Sequence, residues 1–127
     1  SERSDPPIPP APQELVGDYV KLQGTWVVTY NELKRVPERG MEGALFTFEK
    51  DRFHLGTDVG SERFAIDETR FPKRIDFDDG NSPAIRGIYD LDGDKLTICS
   101  TGPGDARPTE FKTSPFSSAV LTHLKRQ

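Results

Sequence analysis

The residues of this chain that could carry out chemistry are a set of aspartates, two histidines and a single cysteine. The aspartates are densest at residues 90–94, DLDGD, which resemble the start of a calcium-binding loop. Such a loop needs glycine at its sixth position and a bidentate glutamate at its twelfth. Lys95 and Thr101 occupy those two positions here. We therefore interpret DLDGD as a tight hairpin turn between two strands.

The two histidines, His54 and His123, do not complete a metal site. Each lies in a predicted strand, on the face opposite to that of its apolar neighbours. Their spacing does not match a set of zinc ligands. A second acidic group consists of Asp76, Asp78, Asp79 and Asn81. Within it, Asp76 and Asp78 alternate outward from a strand, which is typical of a solvated face. Because no acid–base pair or nucleophile stands out, we expect no metal, no cofactor and no enzymatic activity.

The single cysteine, Cys99, leaves two interpretations open. By strand parity it lies on the polar face beside Arg86, whose positive charge would lower the pKa of the thiol and favour reactivity. Alternatively, Cys99 is a small apolar residue, half-buried under the loop of residues 102–108. One cysteine cannot form an intramolecular disulfide, so redox chemistry does not indicate the compartment. We expect a periplasmic or secreted protein, and a cytoplasmic one stays open.

Composition narrows the classes of partner. The chain has 127 residues, which suits a single domain, and a formal net charge of −4. Without a basic surplus to neutralise phosphates, we expect no nucleic-acid binding. No apolar run is long enough for a membrane span. Eight phenylalanines and one tryptophan supply large side chains for a core.

The chain divides into an arm and a domain. Residues 1–13 contain five prolines, and we expect them to form an extended, unpacked arm or linker. Residues 14–127 form the domain. It begins with one helix, predicted over residues 14–23, where Leu15, Tyr19 and Leu22 recur at helical spacing and Gly24 ends the helix.

From Thr25 onward, apolar residues alternate with polar ones, which is typical of strands. A tight turn at Lys50 and Asp51 would place Phe48 opposite Phe53 in one hairpin. Turn signals recur about every ten residues, and the pattern favours about eight short antiparallel strands in a barrel or a sandwich. The predicted strands cover residues 25–33, 44–49, 52–56, 62–67, 73–78, both sides of the 92–94 turn, and 120–126.

Five segments together carry a resemblance to a known family: LQGTW at 22–26, FTFEKDRF at 46–53, GIYDLDGDKLTIC at 87–99, RPTEF at 107–111 and LKR at 124–126. As a set they resemble a family of small lipocalin-like domains expanded in the planctomycetes, a bacterial group. The resemblance covers about residues 15–127. It implies an all-β fold, an eight-stranded antiparallel up-and-down lipocalin-like barrel with a short N-terminal helix, and no established activity.

The resemblance also implies structural roles. Gly24 and Trp26 match the Gly-x-Trp signature of lipocalins, in which the tryptophan plugs the closed end of the barrel and an arginine from the last strand covers it. Arg126 is the positional candidate for that arginine, and Arg107 is its rival.

Two functions fit this fold. In the first, the chain is a non-enzymatic binding module for a small apolar ligand in the barrel mouth, although the same side chains could simply fill the interior. The residues expected at this site are Phe48, Phe53, Phe64, Tyr89 and Ile98. In the second, the chain is an accessory subunit with a solid barrel, and its arm and the loop of residues 102–116 dock onto a larger protein partner.

Overall fold

The computed structural model describes residues 7–56, 62–80 and 83–127. The first six residues of the predicted arm, and Asn81 of the acidic group, lie outside the described residues. Within the described part, the chain forms two short helices and nine strands. They are α1 Asp18–Leu22, β1 Gly24–Leu33, β2 Val36–Pro37, a 3-10 helix Arg39–Met41, β3 Leu45–Glu49, β4 Arg52–Leu55, β5 Glu62–Asp67, β6 Lys73–Asp78, β7 Ile85–Asp92, β8 Lys95–Ser100 and β9 Val120–Arg126.

Eight of these strands close into an antiparallel barrel. Strands β1 and β3 to β9 pair in sequence order, and β9 returns to pair with β1, from Trp26 opposite Arg126 to Leu33 opposite Val120. The predicted all-β, eight-stranded antiparallel barrel is thereby confirmed. Strand β2 and the 3-10 helix were not predicted, because two and three residues are too short to show a period.

The predicted register of the first hairpin is confirmed, since Phe48 lies opposite Phe53 across the β3–β4 turn. In the β7–β8 hairpin, whose register the sequence left open, Tyr89 lies opposite Ile98. A two-residue loop leaves little freedom in the register of a hairpin, so side-chain alternation carries over from one strand to the next.

Helix α1 is shorter than predicted, with five residues instead of ten. It starts at Asp18 because Gly17 has φ +60°, outside the helical region. A Cβ added at Gly17 would meet the carboxylate of Glu68, which is the movable end of an exposed side chain, so the positive φ is what favours glycine here. The prediction of an unpacked arm is wrong at Ala11, which packs against the barrel core.

One bulge changes the alternation in β1. Val28 pairs with Leu124 and Tyr30 with His123, so one extra residue lies between these two pairs in β1. Tyr30 would otherwise share the inward face of Val28. The bulge instead places Asn31 inward, where it is buried and accepts a 2.8 Å hydrogen bond from the Thr122 hydroxyl.

The barrel interior is filled mainly by aromatic rings. Phe48 lies 5.2 Å from Phe53 and 4.9 Å from Phe64, measured between ring centroids. Phe53 also lies 4.8 Å from Phe77. All four rings are buried in one apolar cluster. Such tilted and edge-on contacts add stability beyond the burial of apolar area.

Helix α1 closes one end of the barrel. Among the described residues, strands β4 and β5 pair at two positions, and β5 continues beyond Arg63, which lies opposite Arg52 at the start of β4. There the Tyr19 hydroxyl accepts a 2.9 Å hydrogen bond from the backbone N–H of Ile66. Tyr19 therefore satisfies a buried backbone donor that β4 does not reach.

A buried carboxylate fastens the same helix to two strands. Asp18 is 2% exposed, and its Oδ2 accepts hydrogen bonds of 2.8 Å from both Lys73 Nζ and the Tyr89 hydroxyl. Burial acts to raise the pKa of Asp18, but these hydrogen bonds outweigh it and hold the pKa below its ordinary value. The ionised form of Asp18 is thus part of the native structure.

Truncating the central ring should destabilise the barrel strongly. We expect Phe48→Ala to lower the free energy of unfolding by about 3–5 kcal/mol, because it leaves a cavity beside the Phe53 and Phe64 rings. Urea unfolding followed by circular dichroism measures this. Phe116→Ala is the matched control, since Phe116 is almost fully exposed, and its effect should stay within about 0.5 kcal/mol. Equal losses in the two variants would contradict a packed interior.

Asp18 should make stability depend on acid pH. Its folded pKa is lowered, so its contribution is present above the unfolded pKa and is lost as the pH falls through the folded value, below about pH 4. Asp18→Asn should cost about 2 kcal/mol at pH 7 and less at pH 3, where Asp18 of the unfolded chain is already largely protonated. Urea unfolding at both pH values measures this, with the exposed Asp92→Asn as control. A loss that does not change with pH would be evidence against an ionised Asp18.

Candidate functional site

A groove of about 910 Å³ lies on the outside of the barrel, along β6 and β7. A second pocket, beside Ala11 and Lys50, is smaller, at about 340 Å³. Sites for small molecules usually have volumes of about 300–1,000 Å³. We call the larger concavity the outer groove, and it is lined by Phe71, Pro72, Arg74, Pro83, Ala84, Arg86, Ile88 and residues 104–109.

The floor and ends of the outer groove come from one strand pair. Arg74 of β6 lies opposite Ile88 of β7, and Arg86 lies two residues further along the same face of the sheet. Phe71 and Pro72 form one end, just before β6 begins, and Phe71 is fully exposed. Pro83 lies at the other end, before β7 begins. The groove therefore runs the length of this hairpin.

The side wall belongs to the segment between β8 and β9, which folds back over the barrel. Its anchor is Arg107, whose side chain is 5% exposed. Arg107 Nη1 lies 2.8 Å from Asp76 Oδ1, in a close ionic contact without hydrogen-bond alignment. The same nitrogen donates to the carbonyls of Gly87, at 2.8 Å, and Ile75, at 3.3 Å. Arg107 thus fixes the wall to the floor.

Further hydrogen bonds brace the base of this wall. The Ser118 hydroxyl donates to Asp105 Oδ2 at 2.5 Å and accepts from the Gly102 N–H at 3.0 Å. The Thr101 hydroxyl donates to the Ala106 carbonyl at 2.8 Å. These contacts span the segment from end to end, so the wall is a folded part of the domain.

The same segment buries Cys99. Phe111 packs on a small apolar cluster outside the barrel that includes Ile88, Cys99 and Leu121. Cys99 is 0% exposed, and burial raises the pKa of its thiol. This corrects the interpretation of a thiol activated by Arg86, and agrees with the alternative of a small residue under the loop. Strand parity placed Cys99 on the outer face, but that face is covered here.

Trp26 and Arg126 lie together at the closed end. The Arg126 guanidinium is 4.2 Å from the centroid of the Trp26 ring. It also donates hydrogen bonds to the carbonyls of Lys21, at 2.7 Å, and Gln23, at 3.1 Å. Arg126, and not Arg107, therefore covers the tryptophan, and the contact joins the last strand to helix α1.

The side chains predicted to bind an apolar ligand do come together. They belong to one buried cluster and contact one another or their neighbours, and the Tyr89 hydroxyl is engaged by Asp18. These contacts favour a filled interior. The ligand-binding role stays a prediction for all five residues, namely Phe48, Phe53, Phe64, Tyr89 and Ile98.

Sequence reasoning did not identify the outer groove. The floor could have been found, because strand alternation places Arg74 and Arg86 outward on neighbouring strands. The wall could not have been found, because nothing in its Gly- and Pro-containing sequence shows which strands it will cover. Exposed Phe71 also carried no signal, since it stands in a turn outside any alternating pattern.

Other kinds of site are not supported by the described part of the chain. No group of three or more histidine, cysteine, aspartate or glutamate side chains that could hold a metal ion occurs in residues 7–56, 62–80 and 83–127. In the same ranges, neither helix has the length and hydropathy needed to cross a bilayer.

Compared with protein-family models, curated proteins and solved structures, the chain matches none of them at a significant level. The resemblance to planctomycete lipocalin-like domains therefore stays a prediction. The barrel itself is established by its strand pairing.

The buried thiol should be slow to react. We expect Cys99 to resist a disulfide reagent such as DTNB at pH 7 in the native protein and to react fully in guanidinium chloride, because the thiol is inaccessible and its pKa is raised. Absorbance of the released thiolate measures the rate. Native reaction as fast as that of glutathione would contradict the burial of Cys99.

Proposed function

We propose that this chain is a non-enzymatic protein-interaction module that binds a segment of a partner protein in the outer groove. The observation that carries this proposal is the groove itself, a concavity of about 910 Å³ along one hairpin with a fully exposed phenylalanine at its end. The proposal corresponds to the second function expected from the sequence, in which the barrel is a solid scaffold.

Phe71 is the natural anchor for a partner. A fully exposed aromatic side chain gains free energy when a partner covers it, and aromatic residues dominate the binding energy of many interfaces. The neighbouring Pro72 adds apolar surface with little conformational freedom to lose. One end of the groove therefore offers a hydrophobic contact.

The groove is also preformed. Arg107 and Asp76 hold the wall against β6 and β7, and Ser118 and Asp105 close its base. A site that is already ordered loses little entropy on binding, which favours affinity. The interior differs in this respect, because a ligand there would have to displace packed rings.

The lining of the outer groove favours binding over catalysis. Among the described residues that line it, Asp105 is the one carboxylate, and it is bonded to Ser118. That lining contains neither histidine nor cysteine. A general acid–base pair or an activated nucleophile needs more than this set supplies.

Selection of peptides from a random heptapeptide library displayed on phage tests the proposal. We expect peptides that bind the native protein and bind at least about tenfold more weakly to Phe71→Ala or Ala106→Trp, since about 1.4 kcal/mol of lost contact gives that ratio. Both changes are made at exposed positions that line the groove, so neither should unfold the barrel. Biolayer interferometry with synthetic copies of the selected peptides gives the affinities.

Phe116→Ala is the matched control, because Phe116 is as exposed as Phe71 and does not line the groove. It should leave the affinities unchanged. The proposal fails if the library yields no peptide that depends on the groove, or if Phe116→Ala weakens binding as much as Phe71→Ala does.

A further inference from the structure

The outer groove is basic although the chain as a whole is acidic. Three arginines line it, namely Arg74, Arg86 and Arg107, against the carboxylate of Asp105. Asp76 meets the charge of Arg107, so the positive charge of the groove comes from Arg74 and Arg86. The whole chain has a formal net charge of −4. A concentration of positive charge in a cleft on a negatively charged protein selects and steers a partner of negative charge.

Arg74 and Arg86 are the two arginines of the floor, where Asp67 lies opposite Arg74 and Asp76 lies opposite Arg86. Arg107 is buried against Asp76 and serves the wall, whereas Arg74 and Arg86 rise from the floor and are half-buried. A guanidinium has five N–H donors in a planar fork, so it can bind a carboxylate while keeping another partner. Recognition therefore does not need an unpaired arginine.

The spacing of these two arginines matches an extended chain. Arg74 pairs with Ile88 across the two strands, and Arg86 pairs with Asp76. The second pair lies two residues further along the hairpin. Two residues of a strand span about 7 Å. An extended peptide presents every second side chain on one face with the same spacing, so acidic residues at positions i and i+2 would meet both guanidinium groups.

The length of the groove also fits a peptide. It runs along β6, which has six residues and is about 20 Å long. Phe71 stands at one end, beyond Arg74. The surface of the groove is therefore apolar at the end formed by Phe71 and basic along the floor.

We infer that the partner segment is an extended acidic peptide of about six residues, with one apolar side chain on Phe71 and two carboxylates, two positions apart, on Arg74 and Arg86. This inference rests on the proposed function and adds the chemical class of the partner.

Two acidic peptides of opposite order, LTETET and TETETL, serve as probes, each labelled with fluorescein, because the chain direction in the groove is open. The basic peptide LTKTKT carries the same label. Fluorescence anisotropy with the full chain gives the affinities in 50 mM and 500 mM NaCl. We expect one acidic peptide to bind at low salt, to weaken at high salt, and to bind about tenfold more tightly than LTKTKT, the ratio that about 1.4 kcal/mol of charge-assisted hydrogen bonding gives.

The double variant Arg74→Gln, Arg86→Gln should weaken the acidic peptide by about tenfold or more. Its matched control is Arg39→Gln, Arg52→Gln, which removes the same charge from exposed positions outside the groove and should change the affinity by less than about twofold. Phe71→Ala tests the apolar contact without altering charge, so the test does not depend on whether the double variant folds.

Three outcomes would overturn the inference: neither acidic peptide binds at low salt, LTKTKT binds as tightly, or the control variant loses as much affinity as the groove variant. Peptides selected by phage separate this failure from failure of the proposed function. Selected peptides that need Phe71 but carry no acidic residues would overturn the acidic class and leave the groove as a docking site.

Discussion

Pairing of β1 with β9 is the constraint on which the rest of this structure depends. It joins the two ends of the domain and turns a sheet of sequential strands into a closed barrel. Closure satisfies the backbone of strands that would otherwise be open edges. It also places Arg126 over Trp26 and within reach of two carbonyls around the end of helix α1. Strand β9 thereby holds helix α1 at the closed end of the barrel. The pairing of β9 with β1 and the docking of helix α1 therefore stabilise each other.

The closed barrel surrounds a central cluster of aromatic rings that contact one another. Asp18 fastens helix α1 to β6 and β7 through hydrogen bonds from Lys73 and Tyr89. The candidate site lies on the outside of the barrel. There the segment between β8 and β9 covers a second apolar cluster around Cys99 and, through Arg107, builds the wall of the outer groove.

Much of the barrel could be predicted from the sequence, and the exceptions have local causes. Phe48 and Phe53 were placed opposite each other because a two-residue turn determines the register. Alternation failed at Tyr30, because a bulge adds a residue that leaves no mark in the pattern of apolar side chains. The length of helix α1 was overestimated, because helical spacing does not show that Gly17 has a positive φ. The candidate groove was not predicted.

The sequence by itself determined the strands, their turns and which side chains face inward, because these follow from periodicity and turn residues within a few positions of one another. It also determined that Trp26 and Arg126 are candidates for the same contact. Only the tertiary structure decided that Cys99 is buried and that Arg74 and Arg86 line a groove with Phe71 at its end. The wall of that groove depends on where Arg107 meets Asp76, a contact between residues far apart in the chain. Local patterns carry no information about such contacts.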